Sequence, residues 1–438
     1  MSARTARAFG ATLAALALIA AAPTESRLEQ HVRLRGEAGE AAKAGDLAKA
    51  ETALEAALAL YPTSPGSLIR LARVEAAAGK PVEAVAHVAA YADLGLTLNP
   101  SLDPALKTLV GRDDFGPVAT KLKANAEPVG APRERFDLAP GGDVIEGLAR
   151  VEGGWVFSSV AGHRLTWISQ DGNPRTVLLP EADPSGLFGM AYDAKRKVLW
   201  VAEARGPGVP GSTGAPRTGV IKVSWPRGDV LARYVVPDDG KKHQLGDVAL
   251  GEDGSVYASD SAGAVIYRLK PGAKTLEPFV TSRDMASPQG MVICPQADAM
   301  IVADYSTGLH RIDLRTGAES APIGPHRIAL AGTDGLFRVP YRFPTRTASA
   351  DSVAVIAIQN GVSPQRVLLL RLSPDCRDLE SASVLAAGGP LMDDLTLGAP
   401  APEGIVVIGS SGWSGYDGDG KPVAGQPTFA KLISIPLP

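Results

Sequence analysis

The sequence predicts two domains: a small all-α domain over residues 26–128, then an all-β six-bladed β-propeller over residues 133–438. Three observations predict them. Residues 26–128 are rich in Ala, Leu, Glu and Lys at helical spacing. Near "AEPVGAPRERF" the texture changes to short Val/Ile/Leu/Trp runs punctuated by Gly, Asp-Gly and Pro, the mark of strands and tight turns. Six similar segments then follow one another, each long enough for four strands.

The chain of 438 residues carries a formal net charge of −3, so it has no basic footprint for nucleic acid. It opens "MSARTARAFGATLAALALIAAAPTES", with Arg4 and Arg7 ahead of an apolar run over 9–22. That run is shorter than the roughly 20 residues of a spanning helix. It predicts a signal peptide over 1–22, hence a periplasmic or secreted protein without stable membrane insertion. Such a compartment permits a disulfide. The two cysteines, Cys294 and Cys376, leave open whether they pair, and they make a poor zinc site without companion histidines.

Within the first domain, Gly45 and Gly79, Ala50 and Ala84, and Leu54 and Val88 recur at an offset of 34 residues. A helix–turn–helix period of that length, with Gly at the turn and small residues at the helix contact, resembles the tetratricopeptide repeat. Leu68, Leu71 and Ala72 fill that family's large, large and small positions, and Pro62 ends a unit. So few repeats suit docking against the next domain, or a peptide or protein partner, better than a long superhelix.

In the second domain the six segments open at Glu146, Phe188, Gly246, Gln289, Asp334 and Asp393, with Asp247 and Asp394 next in line at two of them. Each continues as a short apolar strand, a turn and a second strand, as in "GDVALGEDGSVYASD". Units of about 40–50 residues with four strands are propeller blades. "RERFDLAP" precedes the first unit and is placed to complete the last blade, closing the ring and removing a free edge.

The first residue of an innermost strand faces the mouth of the central channel. Carboxylates converging there repel unless protons or a cation lie between them. The oxygen-only set Glu146, Gln289 and Asp334 suits a hard divalent cation, Ca²⁺ or Mg²⁺, over zinc. The same residues also fit a polar ring that caps turn amides and holds waters, or a metal-free pocket.

The opening "xG[LM]" and "DGSVY…D" patterns of these blades resemble the regucalcin–gluconolactonase–luciferin-regenerating family. The resemblance spans the propeller and implies one divalent cation at the channel mouth and hydrolysis of lactones. It also implies metal ligands at Glu146, Gln289 and Asp334, with Asp334 as general base; Glu146 is the alternative catalytic proton acceptor. Asp247, Asp393 and Phe188 become the candidate substrate contacts. Three departures stand out: Gln289 replaces the family's Asn, Gly246–Asp247 replaces its substrate-contacting Asn, and helical repeats precede the propeller.

Other motifs carry less. Asp260, Asp304 and Asn360 end second strands and read as turn caps or rim contacts, and His163 and His243 as loop residues. "YDGDGKP" lacks the distal ligands of a calcium loop and reads as a turn. The chain has no nucleophile elbow, phosphate loop or dinucleotide fingerprint. The leading expectation is an exported, divalent-cation-dependent hydrolase of a lactone or related small ester. Its rival is a non-catalytic binding propeller whose helical repeats dock a peptide or protein, and a small-molecule sensor is a third reading.

Overall fold

The structure is a computed structural model describing residues 25–138, 143–178, 184–322, 324, 327–343, 351–426 and 429–438. The expected signal peptide, 1–22, lies outside the described residues, among which no helix is long and apolar enough to cross a membrane.

The first domain contains α1 (Arg27–Lys43), α2 (Leu47–Leu60), α3 (Pro65–Ala77), α4 (Pro81–Asp93) and α5 (Gly116–Ala126). Helix α1 starts at a capping box, with the Ser26 hydroxyl accepting from Glu29 N–H and the Glu29 carboxylate accepting from Ser26 N–H. Helices α1 and α2, then α3 and α4, form hairpins whose turns place Gly45 and Gly79 at φ of 79° and 74°. A Cβ is strained at such angles, so glycine belongs there. The offset pairs fall at matching contacts, since Ala50, Ala84, Leu54 and Val88 are all buried.

Six four-stranded antiparallel sheets follow. Their inner strands are Ile145–Val151, Gly186–Asp193, Leu245–Leu250, Pro288–Cys294, Thr333–Arg338 and Gly398–Ala401. Five blades run through four consecutive strands, whereas the sixth takes its outer strand, Arg133–Asp137, from the other end of the propeller. That strand pairs antiparallel with Lys431–Ile435 and closes the ring, as the sequence predicts. Second strands such as Val353–Gln359 are buried along their whole length, because blade faces pack on one another. Cys294 ends the fourth inner strand and is disulfide-bonded to Cys376, in a turn of the fifth blade, so the bridge staples neighbouring blades.

The helical domain sits on blades four and five. Glu29 pairs with Arg283, and Asp284 Oδ1 accepts from Leu28 N–H. Arg366 is 1% exposed and is the main tie between the domains. Its guanidinium donates to Leu94 O (3.0 Å), Gly95 O (3.4 Å) and Ala329 O (3.2 Å), and to Gln359 Oε1 (2.5 Å). Burial with neutral acceptors pulls its pKa down to about 10.

Candidate functional site: an acidic ring at the channel mouth

Each of the first five inner strands bulges where it opens. The pairing register slips between Ile145 and Leu148, Leu187 and Met190, Leu245 and Asp247, Pro288 and Met291, and Thr333 and Gly335. The slip turns the opening residue out of the ladder. A glycine next to it permits close blade contact. A Cβ on Gly147 would lie 2.3 Å from Phe188 O, and one on Gly290 would lie 2.3 Å from Leu336 N.

Following these contacts around the ring corrects two sequence assignments. Gly335 meets Thr396 O and the Leu397 side chain, so Thr396 is the opening residue of the sixth blade. The Thr396 hydroxyl donates to Glu146 O and joins that blade to the first. Asp393, expected as a substrate contact, lies three residues earlier and is exposed, with its carbonyl accepting from Gln365. Asp394 turns inward instead. Phe188, also expected as a substrate contact, is 3% exposed and packs with Val144, Val160 and Val209 between blades one and two. Its bulge sends the ring into the core.

Four carboxylates feel one another at the mouth: Glu146, Asp247, Asp334 and Asp394. Burial and then the Asp334 charge push Glu146 well above the usual carboxylate range, against the indole N–H of Trp413, which donates to Glu146 Oε2 at 2.6 Å. Burial, then the Asp334 charge, raises Asp247 to about 8. Asp334 rises to about 7, chiefly by burial and further by Asp394, although Asn360 Nδ2 donates to its Oδ2 at 2.8 Å and opposes the shift. Asp394 is raised by burial and accepts from the Ser411 hydroxyl at 2.6 Å.

Gln289 is turned partly aside. Its Nε2 donates to Ser287 Oγ at 2.9 Å, and its Oε1 faces Gly246 of blade three. Below the ring lies a channel cavity of about 350 Å³, walled by Leu148, Met190, Val248, Met291, Leu336 and Leu397, with Asp247 on its lining. Among the described residues no three His, Cys, Asp or Glu side chains form a ready ligand group for a metal. Oxygen donors beyond the carboxylates are needed to complete one.

A second tier rims the mouth. Val160, Ser261 and Tyr305 each follow a second strand and donate their N–H back to the segment before the inner strand, to Val144 O, Gln244 O and Ser287 O. Asn360 and Ser411 follow second strands likewise, and both contact the acidic ring. Asp260 and Asp304 cap turns, as read from the sequence: Asp260 Oδ1 accepts from Gln244, Ala262 and Gly263 N–H. Asp304 likewise accepts from Ala286, Ser287, Ser306 and Thr307 N–H. His243 bonds Asp239 and Asp260. Sequence reasoning missed Trp413 and Thr396 and left Asn360 as either a turn cap or a rim contact. The signal for Trp413 and Asn360 was their place just past a second strand.

Fold and site together define a six-bladed propeller with a buried acidic mouth. No family model matches the chain, and no curated protein does. Among solved structures it is similar to a structural-genomics protein assigned as a gluconolactonase (20% identity, 69% of this chain and 91% of that one, TM-score 0.43). It is also similar to the calcium-binding protein regucalcin from Agrobacterium tumefaciens (15%, 70% and 95%, TM-score 0.45). A glucose dehydrogenase matches as well (15%, 70% and 100%, TM-score 0.46).

Proposed function

We propose that the protein is an exported, divalent-cation-dependent hydrolase of a lactone or related small ester, working at the acidic mouth. The observation that carries this reading is the convergence at the mouth of Glu146 and Asp334, half-buried, electrostatically opposed and each held by one neutral donor, Trp413 and Asn360. Carboxylates buried this close are stable only if protonated or bridged by positive charge. The fit to a hard cation rests on the all-oxygen donor set and on Asn360 Oδ1, which is buried and lacks a partner among the described residues.

Glu146 and Asp334 would hold the cation. When bound, it would polarise the ester carbonyl and make a nearby water more acidic. The chain's own contribution is then local. Trp413 and Asn360 fix the two carboxylates, so neither has to reorient during the reaction. With one oxygen engaged by Asn360, Asp334 takes the proton from the attacking water on the other. The water oxygen bonds to the carbonyl carbon, the ring C–O bond breaks, and the proton passes to the leaving alkoxide, giving a hydroxy acid. Thr396 and the glycine contacts between blades keep water away from the ring's flanks.

The test is calorimetric titration of Ca²⁺, Mg²⁺, Mn²⁺ and Zn²⁺ into metal-stripped protein, followed by a pH-stat screen of γ- and δ-lactones. One-site binding and turnover, both lost in Asp334→Ala, are expected. Absence of binding by all four ions, or full turnover in the variant, overturns the reading.

A further inference from the structure

The cation reading leaves one position open: which neutral oxygen joins Glu146 and Asp334. The family resemblance assigns it to Gln289, and the geometry argues otherwise. Gln289 is anchored on Ser287 through its Nε2, and its amide oxygen lies beside the place a side chain on Gly246 would occupy. Asn360 stands on the other side of Asp334. Its Nδ2 donates to Asp334 Oδ2 and to Leu395 O, both at 2.8 Å, so it bridges blades five and six.

These two acceptors fix the amide's orientation. Flipping it would set Asn360 Oδ1 against a carboxylate and a carbonyl, two acceptors that offer no hydrogen. The oxygen must therefore point away from both. It is buried, and no donor among the described residues reaches it. A desolvated acceptor left alone is destabilising, a cost that something bound at this place would remove. The groups around it are acidic: Asp334 is bonded to the same amide, and the Asp394 and Glu146 charges couple to Asp334. An acceptor oxygen among carboxylates is matched by positive charge.

We infer that Asn360, through Oδ1, is the neutral ligand that completes the divalent-cation site with Glu146 and Asp334, and that Gln289 is not. This rests on the cation-dependent reading above. Asn360 then has two jobs at once, since its NH₂ group orients Asp334 while its oxygen faces the ion. The sequence pattern conceals it, because it follows the second strand of its blade and does not open the first.

Calorimetric titration of Ca²⁺ into metal-stripped wild type, Asn360→Ala, Asn360→Asp and Gln289→Ala tests this, with circular dichroism confirming the fold of each. Wild type is expected to bind one ion. Asn360→Ala should weaken binding at least tenfold, while Gln289→Ala stays within about threefold. Asn360→Asp separates ligand from mere positioning: it keeps the oxygen but loses the NH₂ group that orients Asp334. A ligand role leaves its affinity within about threefold of wild type or tighter, and a purely positioning role makes it as weak as Asn360→Ala. That last outcome overturns the inference, as does near-wild-type binding by Asn360→Ala. If wild type itself binds no ion, the cation-dependent function falls and this inference with it. Binding by wild type with Asn360→Ala unaffected removes the inference alone.

Discussion

Arg366→Met is expected to loosen the helical domain from the propeller. The substitution keeps the volume and removes a guanidinium buried among neutral acceptors. Ala329 O retains a second donor, Gln359 Nε2, at 2.9 Å, so Leu94 O, Gly95 O and Gln359 Oε1 bear the loss. Three bonds from a charged donor, at about 2 kcal/mol each, amount to about 6 kcal/mol. Against this, burying the charge already costs the native state: a pKa drawn from 12.5 to about 10 corresponds to about 3 kcal/mol that the variant regains. The net expectation is a loss of about 3 kcal/mol. All five tryptophans lie in the propeller, so urea unfolding followed by fluorescence reports that domain, while circular dichroism at the helical band reports the other. Coincident transitions in wild type should separate in the variant, with the helical one moving to lower urea. A change below about 1 kcal/mol with transitions still coincident would refute the accounting.

Asp247→Asn should stabilise metal-stripped protein as pH rises. A carboxyl whose folded pKa is about 8 keeps its proton in the native state when the unfolded chain has lost it. Its favourable share is therefore full below about pH 4 and fades towards pH 8. The ceiling is about 6 kcal/mol, and partial exposure to the channel reduces the expected gain at pH 8 to about 2 kcal/mol, with none at pH 4; equal gains at both pH values in thermal melts would contradict it. Trp413→Phe keeps the ring but drops the N–H held by Glu146, and calorimetry should show cation affinity falling by about three- to tenfold. Unchanged affinity would mean that the indole only packs. Replacing Cys294 and Cys376 by Ala opens a cross-link spanning 82 residues, worth about 4 kcal/mol by chain entropy. Urea midpoints that match the oxidised wild type would show that blade packing suffices without it.

The blade count was legible because four of the six blades repeat an opening glycine contact, and Asp- or Gly-rich turns recur between the strands. Ring closure was legible in "RERFDLAP", an otherwise stray strand ahead of the first unit. The sixth blade misled because Leu397 fills the place a glycine holds elsewhere, and Asp393 lay nearest to the expected pattern. Phe188 misled for another reason: periodicity says which residue opens a strand, while the bulge decides where its side chain goes. The Cys294–Cys376 bridge depends on blade adjacency, which residue spacing does not encode. The glutamate and aspartate of the ring were visible as charges out of place, whereas the neutral groups that hold them, Trp413 and Asn360, had no such mark.

The strand that fastens the ring leaves the ribosome long before the strand it fastens to. Arg133 must wait for Ser434, and Glu146 must wait 250 residues for the threonine at its carbonyl and 267 for the indole at its carboxylate. Until then the glutamate hangs in water as an ordinary surface acid. A chain stopped short by even the last few dozen residues would therefore keep most of its blades and still lack a working mouth. The arrival of Trp413 and of the closing strand is itself the step that completes the acidic ring.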